Sequence, residues 1–180
     1  MTLEQEQHLQ ELLWKWREER HLSIKSQRNG LMGNLCEEMS EYYRATNESE
    51  KIDALCDIYV FCANSLKMSV DIIINIMNNV VPINPFNTYI FEMLHKLTYS
   101  FDYSDEFKIN TTLYSIMRSV VYKTNELGYD FYKCMQETIK EISSRTGYYD
   151  ENIHKFVKDK SEEAKAKWHK ADYEKCKIKG

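Results

Sequence analysis

Glycine and proline are scarce, with five and two in 180 residues. So few breakers leave little punctuation for the many turns of a β-sandwich or barrel, and favour long helices. Long apolar runs are missing as well. No stretch reaches the roughly 18 residues of a membrane span, and the polar, acidic start from Met1 to Gln10 does not have the form of a signal peptide. There is no excess of positive charge: the formal net charge is −4 and the pI is about 5.8. A basic field that could hold a nucleic-acid polymer is therefore absent. The five cysteines, Cys36, Cys56, Cys62, Cys134 and Cys176, are odd in number and form no CxxC pair. That pattern suggests neither a disulfide framework nor a zinc site, and fits reduced thiols in a cytoplasmic protein. Cys36, Cys56 and Cys62 fall in helical patterns and are expected to be small core residues.

What is present is 43% hydrophobic and 29% charged residues, the mix of a soluble globular protein, without a linker or low-complexity break. One all-α domain over residues 1–180 is expected, folded as an antiparallel helical bundle. Apolar residues at helical spacing predict helices over Leu3–His21, Ser26–Ala45, a third capped by Asn47 or Ser49 and running to about Lys67, and Val70–Asn79. Pro82 and Pro85 mark a loop. Further helices are expected over Asn87–Ser100, Asp105–Leu127 and Asp130–Ser144, with Gly128 ending one and Asp130 capping the next. Gly147–Asp150 has the composition of a turn, and Ser161–Lys175 that of a charged Ala/Lys-rich helix.

The chemistry is concentrated in Glu37-Glu38-Met39-Ser40-Glu41 and Asp53-Ala54-Leu55-Cys56-Asp57. Glu38 and Glu41 are three apart on one helix, and Asp53 and Asp57 four apart on the next. Each spacing puts its two carboxylates on one helix face. The short connection near Thr46–Glu48 makes the helices antiparallel neighbours, so the pairs can converge. Four converging carboxylates repel one another unless protonated, separated or neutralised by a cation. Oxygen ligands without His or Cys favour Mg²⁺, with Mn²⁺ as a substitute, and Mg²⁺ sites of this kind are completed by water and substrate phosphates. Asp53 and Asp57 also sit in a strongly apolar helix, where an unpartnered Asp is costly.

The order Glu37-Glu38-x-x-Glu41, a short gap, then an acidic helix ending in Asp57 resembles the motif pair of the all-α nucleotide pyrophosphohydrolases. That superfamily includes MazG-like enzymes, dimeric dUTPases and phosphoribosyl-ATP pyrophosphohydrolases. Its usual second motif is Glu-x-x-Asp. Here position 54 is Ala and Asp53 precedes it, which leaves Glu50, one turn earlier, as an alternative to Asp53. The resemblance extends to Gly128-Tyr129-Asp130, Glu141–Arg145, Lys155–Asp159 and Ala171-Asp172-Tyr173; residues 83–125 match nothing familiar.

The resemblance implies a Mg²⁺-dependent enzyme that cuts a nucleoside triphosphate to the monophosphate and pyrophosphate. It implies metal ligation by Glu38, Glu41, Asp57 and Asp53, and a Glu37 that orients or deprotonates the attacking water. Lys155, Lys158 and Arg145 would attend the phosphates, and the chain would assemble as a homodimer or homotetramer. Trp14, Trp16 and Tyr43 are candidates to stack on the base, and Asn34 to hydrogen-bond it, although aromatic residues at this spacing more often belong to a core.

Two other readings stand beside this one. Glu92-x-x-His95 and Glu151-x-x-His154 have the form of a ferritin-like di-iron site. A non-catalytic helical adaptor with an acidic face would also fit the composition.

Overall fold

Helix α3 (Glu48–Ser65) is apolar almost all round, and Ile52, Leu55, Cys56, Ile58, Tyr59 and Cys62 are all fully or nearly fully buried. A helix of that composition belongs at the centre of a domain. In the computed structural model it is packed on four sides, by α1 (Leu3–Glu19), α2 (Ile24–Arg44), α6 (Glu106–Glu126) and α7 (Phe131–Ser144). The structure describes residues 1–76, 86–102, 104–153 and 155–178. Helix α4 (Val70–Ile76) rests on α1 and α6, and α5 (Phe86–Asp102) lies along α6. The fold is mostly helical, with a single small sheet among the described residues. No helix there is long and apolar enough to cross a membrane.

The helix boundaries follow from their caps. Thr2 forms a reciprocal capping box with Gln5, and Ser23, Asn47, Asp105 and Asp130 each accept an amide from the first turn of their helix. Of the two expected caps for α3, Asn47 serves, and Glu48 is already helical. Gly128, with φ at +84°, provides the left-handed step between α6 and α7 that favours glycine. The expected loop around Pro82 and Pro85, and the end of the expected helix at 77–79, lie outside the described residues.

Three local expectations are corrected. Gly147–Asp150 is a strand, β1, paired antiparallel with β2 (Lys155–Lys158) in the register Gly147↔Lys158 to Asp150↔Lys155. Tyr148, Tyr149, Phe156 and Val157 are strand-forming residues, and their cross-strand pairing outweighs the turn-like composition.

The tail is not one helix either. It holds only a single turn, α8 (Glu162–Lys165), and a 3₁₀ turn at Tyr173–Cys176. Between these it is tied to α7: the His169 amide donates to Ser144 Oγ at 2.8 Å and the Ala171 amide to Glu141 Oε2 at 2.8 Å. The Asp130 amide donates back to the Cys176 carbonyl, also at 2.8 Å. These long-range bonds prevail over a helix propensity that lacks an apolar face. Finally, Cys36 is exposed, whereas Cys56 and Cys62 are buried as expected.

Candidate metal and phosphate site

The three-residue connection between α2 and α3 sets the two acidic segments side by side, and these helices pack along much of their length. Glu38 is buried at 9% exposure, while Glu37 and Glu41 on the same helix are exposed. Burial, then Asp57, Glu41, Asp53 and Glu37 in descending order, push the Glu38 carboxyl up to about 8. Asp57 is half-buried. Its carboxyl is pushed up to about 7 by burial and by Asp53, against the opposing pull of Arg145 and Lys158. Asp57, Glu41 and Asp53 thus act electrostatically on Glu38, and Asp53 on Asp57.

Asp53 keeps access to solvent and accepts a 2.7 Å hydrogen bond from Tyr173 Oη. Burial raises its carboxyl and the Tyr173 bond lowers it again, with a net upward shift. Tyr173 itself is buried and lies 3.0 Å from Thr138 Oγ1 on α7. Its phenol is pushed far up by burial, so it stays a donor. Glu50, the alternative to Asp53, is used locally: its Oε2 accepts the Thr46 amide at 2.6 Å and the Thr46 hydroxyl at 3.0 Å. It still borders, with Glu41, Arg44 and Asp53, a cleft of about 290 Å³ beside the acidic cluster.

The cationic edge comes from the segment after α7. Arg145 pairs with Glu141 and lies close enough to Asp53 and Asp57 to lower both carboxyls. Lys158 is lowered chiefly by burial, then by Arg145, while Asp57 raises it. Gly147 makes this approach possible. A Cβ there would lie 2.2 Å from the Val157 carbonyl and 2.8 Å from the Phe156 ring, so no side chain fits at the base of the hairpin. Lys155 is placed differently. It stands opposite Asp150 at the far end of the ladder, three residues and about 10 Å from Lys158.

Of the remaining candidates, the two tryptophans are engaged in packing. Trp14 Nε1 donates to the Ala63 carbonyl at 3.3 Å and Trp16 Nε1 to the Ile142 carbonyl at 3.2 Å, tying α1 to α3 and α7. Tyr43 stacks on Phe91 with ring centroids 6.2 Å apart. Asn34 is half-buried beside Gly30. Glu92 and His95 are exposed, with Glu92 paired to Lys96 at 2.6 Å, and Glu151 lies in the hairpin turn. These two motifs therefore do not present a core di-iron pair among the described residues; His154 lies outside them.

Two contributors lie in segments quoted for the resemblance but were given no role there. Tyr173 is a buried aromatic in a polar tail. Glu141 lies among the apolar residues of α7 and holds both Arg145 and the Ala171 amide.

Among the described residues no three carboxylate, His or Cys side chains already form a ligand set. The donor chemistry nevertheless fits a hard divalent cation. Four carboxylates act on the buried Glu38 and make its ionised form unfavourable, a burden that such an ion would relieve. The chain matches no protein-family model, no curated protein and no solved structure.

Proposed function

We propose that the protein is a Mg²⁺-dependent nucleotide pyrophosphohydrolase, with the all-α bundle of the MazG-like type, which cuts a ribo- or deoxyribonucleoside triphosphate to the monophosphate and pyrophosphate. The observation that carries this reading is the juxtaposition of Glu38 and Asp57, both pushed upward by burial and then by acidic neighbours, with Arg145 and Lys158 acting on Asp57. Carboxylates and cations placed this way suit a polyphosphate that brings its own negative charge and its own cation. A cation alone would need no arginine, and an anion alone would be repelled by the carboxylates.

Glu38, Glu41, Asp57 and Asp53 would hold the metal, with Mn²⁺ as a substitute. When bound, it supplies neutralisation of phosphate charge that grows in the transition state. Glu37, exposed on α2, would take a proton from water as that water attacks the α-phosphorus. A bond forms from the water oxygen to the α-phosphorus, and the bond from that phosphorus to the bridging oxygen breaks. Pyrophosphate departs with the electron pair, its charge met by Arg145 and Lys158. Lys155 belongs to this role only through a substrate long enough to reach the far end of the hairpin. Tyr173 orients Asp53, and its hydrogen bond favours the anionic form. A cytoplasmic location and assembly as a homodimer or homotetramer belong to the same reading; five unpaired thiols support the first.

Hydrolysis in ¹⁸O-labelled water tests the bond cleaved. Label in the nucleoside monophosphate and none in pyrophosphate supports attack at the α-phosphorus. Label in inorganic phosphate alone, with diphosphate as the other product, contradicts it.

A further inference from the structure

Helix α7 does not close its own end. The chain leaves it extended at Arg145, with φ −77° and ψ 107°, rather than through the left-handed step that commonly satisfies the last carbonyls of a helix. Those carbonyls are met instead from α1. Arg20, the C-cap of α1, is 8% exposed. Its Nη2 donates to the Ile142 carbonyl at 3.1 Å, the Ser143 carbonyl at 3.4 Å and the Arg145 carbonyl at 3.3 Å. Nη1 reaches back to the Trp16 carbonyl at 3.3 Å. A cation at the C-terminus of α7 is also favoured by the helix dipole.

Capping alone does not account for where the guanidinium lies. Its Cζ is 4.6 Å from the ring centroid of Trp16 and 5.2 Å from that of Phe156. Both contacts use the planar face of an arginine, which a lysine does not have. Phe156 belongs to β2, and its ring lies against Gly147, the strand partner of Lys158. Phe156 and Lys158 are two apart on that strand, so they share a face of the hairpin. His21, the next residue after Arg20, adds to the contact, with its ring centroid 6.1 Å from that of Tyr149 on β1. One buried arginine thus ties down both the backbone of Arg145 and the hairpin face that carries Lys158. These are the two cations that act on Asp57.

We infer that Arg20 is a positioning residue for a bound polyphosphate, setting Arg145 and Lys158 as a pair while touching no substrate itself. The inference rests on the proposed reading of that edge as a phosphate site. It assigns a role to a side chain more than 120 residues from the cations it places.

The test is calorimetric titration of the full chain with inorganic tripolyphosphate in excess Mg²⁺, beside a separate titration with Mg²⁺ alone. Arg20→Lys keeps the charge and loses the planar fork. It is expected to bind tripolyphosphate about tenfold more weakly, which is within the cost of misplacing groups by about 1 Å. Its affinity for Mg²⁺ alone should stay within about twofold of the wild type, because the carboxylates of α2 and α3 are not moved. Phe156→Leu leaves the α7 carbonyls capped but frees the hairpin, and should weaken tripolyphosphate in the same selective way. It keeps the inference testable if Arg20→Lys does not fold. Unchanged tripolyphosphate affinity in either folded variant, an equal loss of Mg²⁺ affinity, or no tripolyphosphate binding by the wild-type chain overturns the inference. Products judge the hydrolase reading separately. Binding that depends on Arg20, in a chain that releases no pyrophosphate from triphosphates, sinks that reading and leaves the positioning role standing.

Discussion

Tyr173, near the end of the chain, donates a 2.7 Å hydrogen bond to Asp53 in the second acidic motif. The tail is held in place for this by α7, whose Glu137 accepts His169 Nε2 at 2.9 Å and whose Glu141 accepts the Ala171 amide at 2.8 Å. The closing segment is thus a strap that ends on the candidate site. Tyr173→Phe is expected to cost about 1 kcal/mol of stability. It is also expected to weaken Mg²⁺ binding about tenfold, the scale of a lost outer-shell hydrogen bond. Titration calorimetry with Mg²⁺ checks it; unchanged affinity in a folded variant removes Tyr173 from the site.

Glu38 gives the metal-free protein a pH dependence of definite sign. Its folded carboxyl is raised to about 8 from an ordinary 4.5, so the folded state holds a proton that the unfolded state has released. Its contribution to stability is therefore fully present below about pH 4.5 and is lost as pH rises through about 8. At about 1.4 kcal/mol per pH unit the loss has an upper bound of about 5 kcal/mol. Thermal unfolding in chelator, followed from pH 5 to 9, should show a falling Tm in the wild type that Glu38→Gln flattens and that excess Mg²⁺ reverses. Equal slopes in the two proteins contradict this assignment.

Gly147 tests the hairpin that positions Lys158. The clash of an added Cβ with the Val157 carbonyl is with backbone, which cannot step aside as a flexible side chain can. Gly147→Ala should cost about 1–3 kcal/mol in urea unfolding, the range of an overpacked site. If the hairpin also places Lys158, turnover should fall further than the population of unfolded chain explains.

The buried Glu6 on α1 is a structural control, since it does not line the cleft beside the acidic cluster. It is 3% exposed and accepts a 2.7 Å hydrogen bond from Tyr114 Oη and an ion pair from Arg118, both on α6. Glu6→Ala strands both donors and should cost about 2–3 kcal/mol in chemical denaturation. Turnover per folded molecule should not change.

The helical layout and the acidic rows were legible because both rest on local spacing. Glu38 and Glu41, like Asp53 and Asp57, share faces by helical geometry alone, and a short connection leaves little choice but antiparallel packing. The strap was not legible, because an Ala/Lys-rich stretch favours a helix locally. Its course is set instead by bonds from Glu137 and Glu141, some thirty residues distant. Nor was the hairpin legible, because Gly147-Tyr148-Tyr149-Asp150 has turn composition, and only the pairing with Phe156 and Val157 makes it a strand. The same pairing separates Lys155 from Lys158, both of which the resemblance had offered for the phosphates.

The central claim is tested most directly by product analysis with a panel of ribo- and deoxyribonucleoside triphosphates in Mg²⁺, comparing the wild-type chain with Glu38→Gln. The account predicts nucleoside monophosphate and pyrophosphate in equal amounts from at least one triphosphate, and loss of both products in the variant. No turnover of any triphosphate by the wild-type chain, with either Mg²⁺ or Mn²⁺, would contradict it, as would undiminished turnover by Glu38→Gln.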